Sequence, residues 1–135
     1  MIDLLLLFLW RLIGFFIVYA ASFIVPYLGF FPYKEELVNY NLPSFISSLA
    51  NFDGIHYLLI AKNGYMQFEQ AFFPLYPVLI RFLSRIFGNE LVTGLIISNL
   101  FFAGGLLILK KAFNIRGYWL PLLTLTFPTS FYFGA

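Results

Sequence analysis

Long runs without charged residues divide the chain into four apolar segments. The first covers residues 4–31, interrupted at Arg11, and the others cover 71–87, 91–109 and 117–135. Twenty uncharged residues at about 1.5 Å each are enough to cross a hydrocarbon core of about 30 Å. The pattern therefore predicts four transmembrane helices, with 71–87 short for a complete crossing. A cleaved signal peptide is disfavoured for the first segment, because its apolar run exceeds the usual length of about 7–15 residues.

One long polar segment, residues 33–70, separates the first two apolar segments. It holds six of the fourteen charged residues and the single histidine. Connections this long greatly exceed the usual length of about 4–6 residues, and they are generally functional or disordered. Apolar residues recur through the segment, which argues against disorder. We expect an external loop, although the loop charges by themselves mildly favour the opposite orientation.

Within this loop, the spacing of apolar residues over 49–63 predicts an amphipathic helix. Asn63 and Gly64 supply its end. An amphipathic helix beside a membrane span is expected to lie along the membrane interface. The sequence thus predicts an all-α polytopic membrane protein, a transmembrane helix bundle with an interfacial amphipathic helix in its first external loop.

The composition supports a membrane protein and excludes several functions. Hydrophobic residues make up 61% of the 135 residues and charged residues 10%, against about 25% charged in soluble domains. This excludes a cytosolic enzyme and a disordered tail, and a net charge of +2 offers no basic patch for nucleic acid. The absence of cysteine excludes disulfides and thiolate metal sites. Aromatic residues, at 22%, are unusually frequent.

Asp53 is the strongest candidate for chemistry in the polar segment, because apolar and aromatic residues surround it in the sequence. A carboxylate beside apolar walls gains basicity and can accept a proton from an incoming hydroxyl. Aspartate is also a preferred N-cap residue, and this structural role stays open. His56 follows three residues later, on the same helical face, where it could orient Asp53, bind substrate or face solvent. With one histidine and no cysteine, we expect no metal site.

Several further residues are candidate substrate contacts. Lys62 is the better candidate for a lipid phosphate, since Arg81 and Arg85 are expected to extend to the opposite membrane interface. Aromatic residues around Asp53 and at the start of the second apolar segment form a possible wall for a sugar or an isoprenoid. They are Phe52, Tyr57, Phe72, Phe73 and Tyr76.

Four motifs in this order resemble the amino-terminal part of the PIG-V family, which contains a mannosyltransferase of GPI-anchor biosynthesis and its prokaryotic relatives. The motifs are FDGIHYLLIAKNGY at 52–65, AFFPLYP at 71–77, ISNLFF at 97–102 and FPTSFY at 127–132. The family belongs to the GT-C class of membrane glycosyltransferases. Relatives often carry tryptophan before the aspartate, where this chain has Phe52.

The resemblance implies an inverting enzyme that needs no cofactor. Such an enzyme transfers mannose from polyprenyl (dolichyl) phosphate-mannose to a lipid-linked glycan acceptor on the non-cytosolic side. The acidic base of GT-C enzymes lies in the first external loop, which corresponds to Asp53 here. His56, Phe52, Tyr57, Lys62, Phe73 and Tyr76 are then the expected substrate-binding residues. The expected membrane is the plasma membrane in a prokaryote and the endoplasmic reticulum in a eukaryote.

Two other classes of protein remain as alternatives. In a transporter or flippase, Asp53 and His56 would form a substrate or proton site. In a membrane scaffold, the polar segment would be a partner surface. Because the fourth apolar segment has no polar flank before Ala135, we also expect the chain to be the front part of a longer protein. Residues 1–135 alone are not expected to form a working enzyme.

Overall fold

The computed structural model describes residues 2–25, 34–119, 122 and 126. In this part of the chain the regular structure is helical and no strand occurs, which confirms the all-α prediction there. We number its α-helices in chain order, and a 3₁₀ turn at Ser48–Ala50 precedes the fourth. They are α1 Ile2–Ile24, α2 Lys34–Val38, α3 Ser44–Ser47, α4 Asp53–Asn63, α5 Leu75–Phe87 and α6 Glu90–Ala112.

The chain divides into two compact units. One contains Met1–Pro26 together with Ser98–Ala135, and the other contains Tyr27–Ile97. Helix α6 contributes residues to both units. The candidate site predicted from the sequence falls entirely within the second unit.

In the first unit, α1 packs antiparallel to the carboxyl-terminal half of α6. The Lys110 ammonium contacts both carboxylate oxygens of Asp3 at 2.7 Å. Further along, Trp10 stacks on Phe102 with ring centroids 6.0 Å apart, and the Arg11 guanidinium lies 4.7 Å from the Trp10 ring centroid. Residue numbers rise along α1 as they fall along α6, so the two helices run in opposite directions.

Two of the described helices are long and apolar enough to cross a membrane, over Asp3–Ile24 and Glu90–Ala112. Large apolar side chains along α1, among them Phe16 and Phe23, are exposed, as expected for lipid contact. Helix α5 has 13 residues and is about 20 Å long, which is shorter than a hydrocarbon core of about 30 Å. Most of the predicted fourth segment, 117–135, lies outside the described residues, so its crossing stays a prediction.

Helices α4, α5 and α6 supply most of the apolar core of the second unit. The buried members of this core are Leu37, Ala50, Ile55, Leu58, Ala61, Ile80, Leu91 and Ile97. Helix α4 buries one face because its apolar residues recur at helical spacing. The predicted helix over 49–63 is therefore present, but it begins at Asp53 because the residues before it form a 3₁₀ turn and a β-turn.

A tight turn joins α5 to α6. Gly88 ends α5 in the left-handed region, with φ at 76°, where glycine is favoured. The Asn89 side chain caps α6 by accepting the Val92 N–H at 3.1 Å, and it donates to the Tyr40 carbonyl at 3.3 Å.

Burial, with Glu90 and Glu36 as further causes, raises the pKa of the Tyr40 phenol to about 12. The phenol therefore stays neutral at physiological pH.

Small residues permit close packing at one point of α6. The Tyr76 hydroxyl donates to the Gly94 carbonyl at 3.0 Å. A Cβ added at Gly94 would lie 3.2 Å from that hydroxyl oxygen and 3.3 Å from Ile80 Cδ1. Gly94 therefore permits the close contact of α6 with α5, whereas a Cβ at Gly104 would meet no atom within 4 Å.

Candidate active site

A strained turn precedes α4 and places Asp53 at the start of that helix. The Gly54 N–H donates to the Asn51 carbonyl at 3.3 Å, and Phe52 between them has φ 58° and ψ −124°. These angles are those of the first central residue of a type II′ turn, a position dominated by glycine. A non-glycine residue there costs about 1–3 kcal/mol, and such strain is concentrated at functional sites.

Asp53 is the first residue of α4, while Phe52 occupies the N-cap position. The alternative interpretation of Asp53 as the N-cap is therefore wrong, because the type II′ turn places the helix start one residue later. The Asp53 side chain is exposed, so the residues that the structure describes do not enclose the carboxylate in the apolar walls expected from the sequence. In the first turn of a helix a carboxylate interacts favourably with the macrodipole, and exposure leaves it accessible to a substrate.

His56 lies one helical turn after Asp53, and residues three apart on a helix are neighbours, about 5–6 Å between Cβ atoms. Its Nδ1 atom is 3.8 Å from the Glu69 Oε1 atom. Its ring stacks on Phe72 with centroids 5.0 Å apart and planes 23° apart. About a quarter of the His56 side chain, 27%, remains exposed, so the imidazole is held by Glu69 and Phe72 and is still partly accessible to solvent.

Glu69 is a part of this arrangement that the sequence analysis missed. It is 7% exposed, and its Oε2 atom accepts the Met66 N–H at 2.8 Å. The turn that contains it is closed by a hydrogen bond from the Tyr65 hydroxyl to the Phe72 carbonyl at 2.7 Å. The sequence shows Glu69 only as a single carboxylate among aromatic residues. Its contact with His56 could not be predicted, because it depends on the turn that follows α4.

An aromatic cluster lies next to His56 and consists of Tyr57, Phe72 and Tyr76. Phe72 and Tyr76 each meet the Tyr57 ring edge to face, at centroid distances of 5.1 Å and 5.0 Å. The structure therefore brings together Tyr57 and Tyr76, two of the predicted substrate-binding residues. Phe52 and Phe73 are exposed, by 63% and 79%, so their rings are available to a ligand.

Lys62 lies in the last turn of α4 and is exposed. It is nine residues from Asp53, which is about 13 Å along the helix axis. The structure therefore places Lys62 at the opposite end of α4 from the carboxylate, so it can contact only a part of a ligand remote from Asp53.

Arg81 differs from the sequence expectation. Its Nε donates to the Ala61 carbonyl at 2.5 Å and its Nη2 to the Lys62 carbonyl at 3.2 Å. The last carbonyls of a helix have no partner within the helix, and they form the negative end of its dipole. The predicted extension of Arg81 to the opposite membrane interface is therefore wrong: Arg81 caps α4. No group of three or more potential metal ligands occurs among the described residues.

Two helices of this fold are long and apolar enough to cross a membrane, and one exposed carboxylate lies beside a histidine and aromatic rings. These features define a class of protein: a membrane protein with a polar site that could carry out a reaction. A family model described as Mannosyltransferase (PIG-V) matches residues 1–114 of the chain. The chain belongs to this mannosyltransferase family, which confirms the resemblance found in its motifs, and it is accordingly a membrane glycosyltransferase. Searches of curated proteins and of solved structures found no match.

Proposed function

We propose that this protein transfers mannose from a polyprenyl (dolichyl) phosphate-mannose donor to a lipid-linked glycan acceptor, as in GPI-anchor biosynthesis and related prokaryotic pathways. The observation that carries the proposal is the extent of the family match, because residues 1–114 include every residue of the site around Asp53. The exposed carboxylate at the start of α4 supports it by offering a base that a substrate can reach.

In the proposed reaction, Asp53 is the general base. Its carboxylate takes the proton from an acceptor hydroxyl, and the oxygen attacks the anomeric carbon of mannose from the face opposite the phosphate. The bond between that carbon and the phosphate oxygen breaks, and the polyprenyl phosphate leaves with the electron pair. The configuration is inverted in this single displacement, and general-base catalysis of this kind contributes typically about 10²–10⁴-fold.

The other predicted site residues bind the substrates. His56 contacts a polar group of a sugar. Phe52, Tyr57, Phe73 and Tyr76 provide aromatic surface for the sugar and the isoprenoid. Lys62, at the far end of α4, is assigned to a lipid phosphate at headgroup depth.

The donor class can be tested with the full-length protein purified in detergent. Radiolabelled mannose is offered either as polyprenyl phosphate-mannose or as GDP-mannose, together with a lipid extract of the native membrane as acceptor. We expect labelled glycolipid from the polyprenyl donor and none from the nucleotide sugar. Equal transfer from GDP-mannose would contradict the proposed donor. The same protein can be reconstituted in lipid vesicles. Movement of intact polyprenyl phosphate-mannose across the vesicle membrane without glycolipid formation would identify a flippase instead.

A further inference from the structure

Glu69 is a buried carboxylate that the proposed reaction does not use. In the described part of the chain, Glu69 and Thr93 are the buried polar or charged residues, and the Thr93 hydroxyl donates to the Asn89 carbonyl at 2.7 Å. Burial of a carboxylate is costly unless it is hydrogen-bonded and paired with charge or a strong donor. The groups that contact the Glu69 carboxylate therefore indicate its role.

The two carboxylate oxygens of Glu69 face different partners. Oε2 accepts the Met66 N–H at 2.8 Å, which fixes the carboxylate within its own turn. Oε1 faces the His56 Nδ1 atom at 3.8 Å. This distance is longer than a hydrogen bond, but a carboxylate charge this close favours the form of the imidazole that carries its hydrogen on the nearer nitrogen.

Two hydrogen bonds hold the turn around Glu69 in place. The Phe72 N–H donates to the Glu69 carbonyl at 3.0 Å, and the Tyr65 hydroxyl donates to the Phe72 carbonyl at 2.7 Å. The turn thereby presents a carboxylate to the edge of the His56 ring and an aromatic face to its plane. The same few residues fix both the tilt and the rotation of the imidazole.

We infer that Glu69 is a positioning residue that acts through His56; this inference rests on the proposed transferase function. Glu69 orients the imidazole and holds its hydrogen on Nδ1, and in the proposed reaction the ring so oriented contacts a polar group of the sugar. The hydrogen bond made by one ring nitrogen sets the role of the other. Because Asp53 lies one turn away, His56 holds the sugar while Asp53 removes the proton.

The first test is Glu69→Gln, which retains an oxygen for the Met66 N–H and turns an amide donor towards His56. The variant is expected to move the imidazole hydrogen from Nδ1 to Nε2. Nitrogen-15 NMR of histidine-labelled protein distinguishes the two forms, and His56→Gln assigns the signal. The transfer kcat/KM is expected to fall about ten- to a hundredfold, the value of one hydrogen bond to a charged group.

A double-variant cycle separates positioning from a merely structural role. If Glu69 acts through His56, combining Glu69→Gln with His56→Gln lowers kcat/KM no further than His56→Gln alone. Additive losses would overturn the inference, as would unchanged nitrogen-15 shifts in Glu69→Gln. The exposed Glu35 supplies the control Glu35→Gln, which is expected to leave transfer and thermal unfolding unchanged.

The proposed function and this inference fail in different ways. A full-length wild-type protein that transfers no mannose contradicts the function. The NMR measurement on the same protein still tests whether Glu69 sets the His56 tautomer, since it needs no substrate. A wild-type histidine with its hydrogen on Nε2 contradicts the inference regardless of activity.

Discussion

Phe52 combines backbone strain with a side chain that is mostly in solvent. Its φ of 58° is one that residues with a β-carbon rarely adopt, and its ring is 63% exposed. We propose that this exposed ring contacts substrate, which would account for both features.

Replacing Phe52 separates the ring from the strain. Phe52→Gly is expected to stabilise the fold by about 1 kcal/mol because glycine adopts positive φ freely, whereas Phe52→Ala keeps the strain and gains nothing. Both variants are expected to lose mannosyl transfer to a similar extent, since both lack the ring. Thermal unfolding and transfer assays measure the two effects. Full transfer activity in Phe52→Gly would remove the ring from the substrate site.

Local spacing explains which site residues could be predicted from the sequence. Asp53 and His56 are three positions apart on one helix, so the helical period places them together without knowledge of the fold. Glu69 could not be predicted in the same way, because it reaches His56 through a turn thirteen residues further along, held by Tyr65 and Phe72. The strain at Phe52 was equally invisible, because phenylalanine carries no signal for positive φ.

At the scale of elements, α4 carries the candidate site and α5 fixes its far end. Arg81 donates two hydrogen bonds to the last carbonyls of α4, and Ile80 on the same helix is fully buried in the core. The apolar period over 49–63 predicted α4 but not its cap. The reason is that a long arginine side chain can satisfy either a membrane interface or a helix terminus, and only the tertiary packing of α5 decides between them.

The cap predicts a difference between two arginines of α5. Arg81→Met is expected to destabilise the protein by about 1–2 kcal/mol, because two charge-assisted hydrogen bonds are lost from a partly solvated position. Arg85→Met is the matched control, one turn further along the same helix and also exposed. Chemical denaturation measures both variants. Equal stability losses in the two would show that the hydrogen bonds to α4 contribute nothing particular.

At the scale of the whole molecule, the direction of the apolar helices constrains the membrane topology. The contacts of Asp3 with Lys110 and of Trp10 with Phe102 make α1 and α6 antiparallel. Two antiparallel helices that each cross the bilayer place the segment between them, residues 25–89, with both ends on one side. We therefore predict that Glu35 and Arg85 are reached from the same side of the membrane. The charge-free runs predicted the two long helices, but run length could not reveal their relative direction.

This topology is testable because the chain contains no cysteine. Single cysteines can be placed at the exposed positions of Glu35, Arg85 and Lys111 and labelled with a membrane-impermeant maleimide in sealed vesicles. Glu35→Cys and Arg85→Cys are expected to react from the same side, and Lys111→Cys from the other. Labelling of Glu35→Cys and Arg85→Cys from opposite sides would instead show a crossing between them, as in the four-span prediction.

The role of Asp53 as the base is the central claim, and Asp53→Asn tests it most directly. Asparagine has nearly the same shape and can occupy the first turn of α4, but it cannot accept the acceptor proton at neutral pH. The measurement is the rate of mannosyl transfer from polyprenyl phosphate-mannose at saturating donor, with equal amounts of folded wild-type and variant full-length protein. We expect the variant rate to fall about 10²–10⁴-fold with thermal unfolding little changed. An undiminished rate would contradict the account.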